Sequence, residues 1–215
     1  LFILVFGAAF CFAARQDPSP IWQNSQNLSK YQMAWTALNK SEQDIYYQVK
    51  NTYLVNETIY PTYGRPELSE FKCWSVGYKN KNEKAQTASL KYYYTLTAQS
   101  RLYQVQFLRA DGKATNNLNY ETKNGVEYSY QGGKTETDPV IFTDGNTCDL
   151  FNVPNKNNGK GCELWVKSEY KENVPPCCSF IFDLLCGAHG SHDIYNEKQC
   201  RNVVEEWKSQ IEGTG

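Results

Sequence analysis

The chain has 215 residues, with 22 Lys and Arg against 23 Asp and Glu and a net charge of −1. That balance, with no basic stripe, argues against a nucleic-acid partner, which needs clustered positive charge. The length suits one domain able to bury its own core, and no segment reaches the roughly 20 apolar residues that a membrane-spanning helix requires.

Leu1–Ala14 is apolar and ends in small residues before Arg15, so residues 1–14 read as a secretory signal peptide. No Met or basic segment precedes it, so the chain is expected to begin within that signal. Residues 15–27, with Pro18 and Pro20, suggest a flexible lead-in. Leu28 to Leu38 carries Tyr31, Ala34, Trp35 and Leu38 at helical spacing, which predicts a short amphipathic helix. Over Ile45–Tyr53 the period drops to two. Ile45, Tyr47, Val49 and Tyr53 fall on one face and Gln48, Lys50 and Thr52 on the other, as in a half-buried strand.

Further strands are expected at Phe71–Tyr78, Ala88–Ala98, Leu102–Leu108, Leu118–Thr122, Val126–Tyr130, Val140–Phe142, Cys148–Val153 and Cys162–Lys167. Turn chemistry separates them: Asp111-Gly112, Asn124-Gly125, Gly132-Gly133, Asp144-Gly145 and Asn158-Gly159 supply the positive φ that tight hairpins need. Strand after strand without a long helix between them is an antiparallel meander, which can form a sandwich or close into a barrel. After Pro175-Pro176 the pattern becomes helical. Ser179–Cys186 is apolar nearly all round and should be covered on most sides. Val203, Val204, Trp207 and Ile211 mark a final helix, with Asn202 as its cap and Glu205 and Glu206 in its first turn. Asn27, Asn39 and Asn56 begin glycosylation sequons.

Nothing catalytic assembles: no nucleophile elbow, zinc-protease, phosphate-loop or dinucleotide fingerprint is present, so neither an enzyme nor a cofactor is expected. His189 and His192, the only histidines, lack the paired cysteines of a zinc site, and no metal is expected. In a secreted chain the cysteines read as disulfides, of which spacing alone does not give the pairing. Removing Cys11 with the signal leaves an odd number. The segment Gly161–Lys167, GCELWVK, allows two readings. Alternation by itself favours Leu164 and Val166 in the core with Glu163 and Lys167 in water. The other puts Glu163 and Trp165 inside a barrel, where a buried carboxylate needs a partner. A cationic ligand would supply that partner, with Trp165 adding a cation–π contact. Leu164 and Val166 would then lie under the Ser179–Cys186 helix, with Cys162 within reach of Cys186.

Several short segments occur in a fixed order. They are Ala34-Trp35, Tyr46–Lys50 with Tyr53, Glu70–Cys73, Tyr120–Thr122, Cys148-Asp149 before Val153-Pro154, Glu163–Trp165, Val174-Pro175 and Cys200. Together they resemble the tick histamine-binding lipocalins across nearly the whole mature chain. The run Cys162–Val166 is most similar to salivary lipocalins of hard ticks. The resemblance implies an all-β fold: an eight-stranded antiparallel lipocalin-type barrel, with a short N-terminal helix and a C-terminal helix packed on the wall. It also implies disulfides Cys73–Cys200 and Cys148–Cys178. Cys162–Cys186 is the third by the face argument, and Cys177 is left over. The barrel domain is expected over 28–200 and a helical tail over 201–215.

The resemblance implies further a secreted, extracellular binding protein that sequesters a host biogenic amine, histamine or serotonin, and so suppresses host defence. Glu163 is the expected counter-ion, with Trp165, Tyr53 and Tyr120 as walls and Asp138 as a second acid. Three departures from the family pattern point to one amine pocket rather than two. Gln104 and Gln106 stand where an acid is expected, Asn56 and Glu57 fall in a longer loop, and Ser41 or the displaced Glu42 follows the helical turn. Two alternatives stand beside the amine reading. One is a lipid mediator, paired through Arg101 or Arg109; the other is inhibition of a host protein through the segments Asn56–Glu70 and Gly132–Pro139. The expected state is a monomer, with a dimer through Cys177 as the alternative.

Overall fold

A computed structural model describes residues 20–212 apart from 24, 55, 60–65, 99–100, 103–104 and 118–119. The expected signal peptide, 1–14, and the first part of the expected lead-in lie outside the described residues. The strands are β1 Ile45–Asn51, β2 Asn56–Ile59, β3 Glu67–Asn82, β4 Thr87–Ala98, β5 Arg101–Leu102, β6 Gln106–Thr115, β7 Gly125–Tyr130, β8 Thr135–Thr143, β9 Cys148–Val153, β10 Gly161–Lys167 and β11 His192–Asp193. The helices are α1 Ser25–Leu28, α2 Ala34–Leu38, α3 Pro176–Leu185 and α4 Glu197–Glu212.

The meander closes on itself. Strands β10, β9, β8, β7, β6, β4 and β3 pair in that order, and β1 joins the two ends, with Tyr47 opposite Val166 of β10 and Ser75 of β3. The result is a closed eight-stranded antiparallel barrel with β2, β5 and β11 as short additions. Closure removes the unpaired edges that a sandwich leaves open.

Side-chain alternation then sorts residues into the lumen or onto the outer wall. Tyr46, Val76, Tyr78, Leu90, Val126, Tyr128, Phe151 and Trp165 form the inner cluster. The outer wall is largely covered. Phe182, Cys178 and Cys186, from α3 and its C-cap, pack with Val49, Leu150, Leu164 and Val166. Val203 and Trp207 of α4 pack with Ile45, Tyr47 and Tyr93. The Trp207 indole N–H donates to Ser75 Oγ at 2.8 Å, and its ring lies where a Cβ on Gly77 would sit, 2.8 Å away. Disulfides Cys148–Cys178 and Cys162–Cys186 tie the α3 region down, and Cys73–Cys200 ties α4 to β3. A bulge between Lys72 and Ser75, with Cys73 at φ 60°, resets the phase of β3. Beyond it Cys73, Ser75 and Gly77 face α4, while Trp74, Val76 and Tyr78 line the lumen.

Several expectations are overturned. The helix expected over Leu28–Leu38 is broken into α1, a 3-10 turn at Ser29–Tyr31 and α2. Within residues 15–27, Trp22 is 4 % exposed and packs on the outer wall. Asp111-Gly112 is no turn but the middle of β6, where the missing side chain makes room for Leu38, whose Cδ2 stands 2.9 Å from a Cβ position at Gly112. Leu102–Leu108 is thus replaced by β5 and a long β6. Of Leu118–Thr122, the part described, Tyr120–Thr122, is loop. β1 is buried on both faces because helices cover its outside, and Gln48, expected in water, is 3 % exposed. Helix α3 has an open side, with Phe180 and Leu184 exposed. Helix α4 starts at Glu197, capped by Asn196, whose Oδ1 accepts from the Gln199 N–H at 3.2 Å. Asn202, Glu205 and Glu206 are therefore interior, and a boundary at 200/201 would cut through this helix.

Candidate ligand cavity

The lumen holds a cavity of about 260 Å³, just below the usual range for ligand sites. Strands β7, β8 and β10 bring the chemistry to it. On β10, Glu163 and Trp165 are two residues apart and face inward, so the second reading of GCELWVK is the one realised. Helix α3 on the outside is the reason: Cys162, Leu164 and Val166 find an apolar partner there and leave the lumen to their neighbours.

Glu163 is held from several sides. Trp165 Nε1–H donates to its Oε2 at 2.9 Å. The Tyr53 hydroxyl donates to its Oε1, from just beyond the end of β1, and Gln48 lines the same part of the cavity. Burial nevertheless keeps this carboxyl above its usual range, against those hydrogen bonds and the charge of Lys156. Asp138, on β8, lines the same cavity and is pushed well above the usual range, by burial first and then by the charges of Glu163 and Glu136. Glu136 is partnered by Lys134 at 2.8 Å and Asn155 at 2.8 Å. Lys134 is 70 % exposed, which marks this side as the mouth. No ion pair to Asp138 or Glu163 is present among the described residues.

The rest of the wall is aromatic. Tyr92 meets Trp165 edge-on at 6.2 Å, and Tyr128 stacks with Tyr130 at 6.4 Å. Trp74 stacks on Tyr94 at 4.3 Å while lining the cavity. Two acids that share one cavity wall with aromatic rings suit an organic cation: the charge is attracted by the carboxylates and by the ring quadrupoles together.

Of the expected ligand residues, Glu163, Trp165, Tyr53 and Asp138 come together here. Tyr120 does not: it is 7 % exposed, its hydroxyl donates to the Trp22 carbonyl at 3.2 Å, and it is no part of the cavity wall. Sequence reasoning missed Gln48, Trp74, Tyr92, Tyr128, Tyr130 and Glu136. The alternation of Val126, Tyr128 and Tyr130 carried a signal for two of them; nothing marked Gln48. Gln106 and Arg109 are exposed and Gln104 lies outside the described residues, so none of the three adds to the described wall. Gly132–Pro139, expected as a surface loop, is a hairpin turn leading into β8.

Residues 22–202 match the family model described as tick histamine binding protein. A male-specific histamine-binding salivary protein of Rhipicephalus appendiculatus is 28 % identical over 205 residues, 93 % of this chain and 95 % of its own length. Female-specific histamine-binding protein 1 of the same tick is 25 % identical over 194 residues, 89 % and 95 % of the two chains. Among solved structures, japanin from R. appendiculatus bound to cholesterol superposes with a TM-score of 0.54 at 14 % identity, over 76 % of this chain and 97 % of its own. At that identity the likeness speaks to the lipocalin-like fold alone. The family match spans nearly all of the described chain, and this chain belongs to the tick histamine-binding protein family.

Proposed function

We propose that this protein sequesters a biogenic amine, histamine or serotonin, in the lumen between Glu163 and Asp138. The observation that carries the reading is that two lumen carboxylates stand among Tyr92, Trp165 and Tyr130 with no ion-pair partner among the described residues. An ammonium at this point is attracted by both acids and by the ring faces. A lipid carboxylate would bring a further negative charge to the same wall, and a cavity of about 260 Å³ suits a small aromatic amine better than a long chain. The family relation supports the same direction, since both related salivary proteins named above are histamine-binding.

In this reading the protein is exported after removal of residues 1–14 and acts in tick saliva as a binder rather than a catalyst, holding its ligand as a single chain. Asn27, Asn39 and Asn56 are exposed, so each is open to glycosylation. The test is calorimetric titration of the refolded protein with histamine and serotonin, with a leukotriene as control. Saturable amine binding is expected, weakened roughly 10- to 100-fold in Glu163→Gln, as loss of a charge-assisted contact implies. Normal amine binding by that variant, or binding of the leukotriene alone, would overturn the proposal.

A further inference from the structure

The lumen holds a second meeting of carboxylate, aromatic ring and ammonium, and there the ammonium belongs to the chain. Lys40 follows α2 by two residues, and its side chain is wholly buried. Its Nζ lies 3.0 Å from Asp149 Oδ1 and 4.7 Å from the centre of the Tyr46 ring. The Thr143 hydroxyl donates to the same Oδ1 at 2.5 Å, while the buried Oδ2 has no hydrogen-bond partner among the described residues. Tyr46 is itself fixed: its hydroxyl donates to the Asn146 carbonyl at 2.7 Å, and its ring meets Tyr78 edge-on at 6.0 Å. Tyr78 is also a wall of the main cavity, so the two places are separated by aromatic rings rather than by backbone.

These parts exceed what a structural ion pair needs. A buried Lys is rare and a buried Lys–Asp pair adds little net stability over an apolar pair. Here the ammonium sits at a ring face as well as at a carboxylate, as a bound alkylamine would. We propose that Lys40 is a built-in ligand: its aminoalkyl chain fills an amine site formed by Asp149, Tyr46 and Thr143, and a primary alkylammonium takes that site when the side chain is removed. The barrel then accepts one external amine rather than two. That stoichiometry rests on the amine reading of the Glu163 end; the Asp149 site does not.

The test uses Lys40→Ala in a Glu163→Gln background, which weakens the main cavity. Alanine keeps Cβ, so n-propylamine replaces the deleted atoms. Thermal midpoints are measured against propylamine, with propanol as the uncharged control. The midpoint of the double variant should rise saturably, by about 5 °C or more at high occupancy. The Glu163→Gln parent, which keeps Lys40, should not respond, nor should the double variant in propanol or after addition of Asp149→Asn. If Lys40→Ala does not fold alone, refolding restored by propylamine but not by propanol supports the site equally. No rise and no rescue, or a rise that persists with Asp149→Asn, would overturn it.

Discussion

Two regions of one lumen use the same ingredients to opposite ends. At Asp149 the carboxylate, ring and ammonium are all supplied by the chain, and the pair is sealed from water. At Glu163 and Asp138 the carboxylates and rings have no ion-pair partner among the described residues, and hydrogen bonds from Tyr53 and Trp165 fix Glu163. The difference teaches that a buried acid in this barrel is structural or receptive according to whether a Lys reaches it. Lys156 lies over the Tyr53 ring, 5.8 Å from its centre, and forms no ion pair with either acid, and Lys134 is paired with Glu136.

The largest effect that separates the two regions should be on stability. Asp149→Asn leaves Lys40 buried without its partner, and a loss of about 3–5 kcal/mol is expected in denaturant unfolding. Glu163→Gln or Asp138→Asn should leave the ligand-free protein as stable as the parent at neutral pH, or more so. Equal losses at both ends would erase the distinction.

A second comparison is by pH. Glu163 and Asp138 hold protons more tightly folded than unfolded, so each contributes stability that is complete below the usual carboxylate range. That contribution is lost as pH rises through the raised folded value. The ligand-free protein should therefore lose this part of its stability from about pH 4 upward. Amine affinity should run the other way, weak in acid and rising with pH, because the cation needs ionised acids. Melting curves across pH with and without histamine would check both slopes, and Asp138→Asn should flatten each of them.

Smaller effects refine the wall. Trp165→Phe keeps a ring but removes the N–H to Glu163, and a loss of about 1 kcal/mol in amine binding is expected by calorimetry. Tyr120→Phe should leave affinity unchanged, since Tyr120 holds the Trp22 segment and not the ligand. A clear loss there would put the wall in the wrong place.

Much of this could be read before folding was considered. The strands from Val126 to Lys167 and the turns at Gly132-Gly133, Asp144-Gly145 and Asn158-Gly159 stand near where the alternation and the turn residues put them. Asp111-Gly112 did not, because a glycine demanded by a turn and a glycine demanded by a close contact look alike, and here Leu38 of α2 makes the contact. Glu163 was visible as a candidate but not decided, since both faces of β10 carry residues that fit a core. Gln48 and Lys40 were invisible as lumen or core groups, because polar side chains in a strand or after a helix normally face water.

By itself the sequence determined the antiparallel meander, the cysteine framework's presence and the pairing of an acid with an indole on one face of β10. These follow from local period, turn chemistry and residue type. Which face of each strand became the lumen was decided only when β1 closed the ring and α3 and α4 covered its outside. Alternation sorts side chains into two sets but does not say which set meets an apolar partner. Here the helices claimed the Leu164 and Val166 side, and Glu163, Trp165 and Gln48 were left facing the lumen.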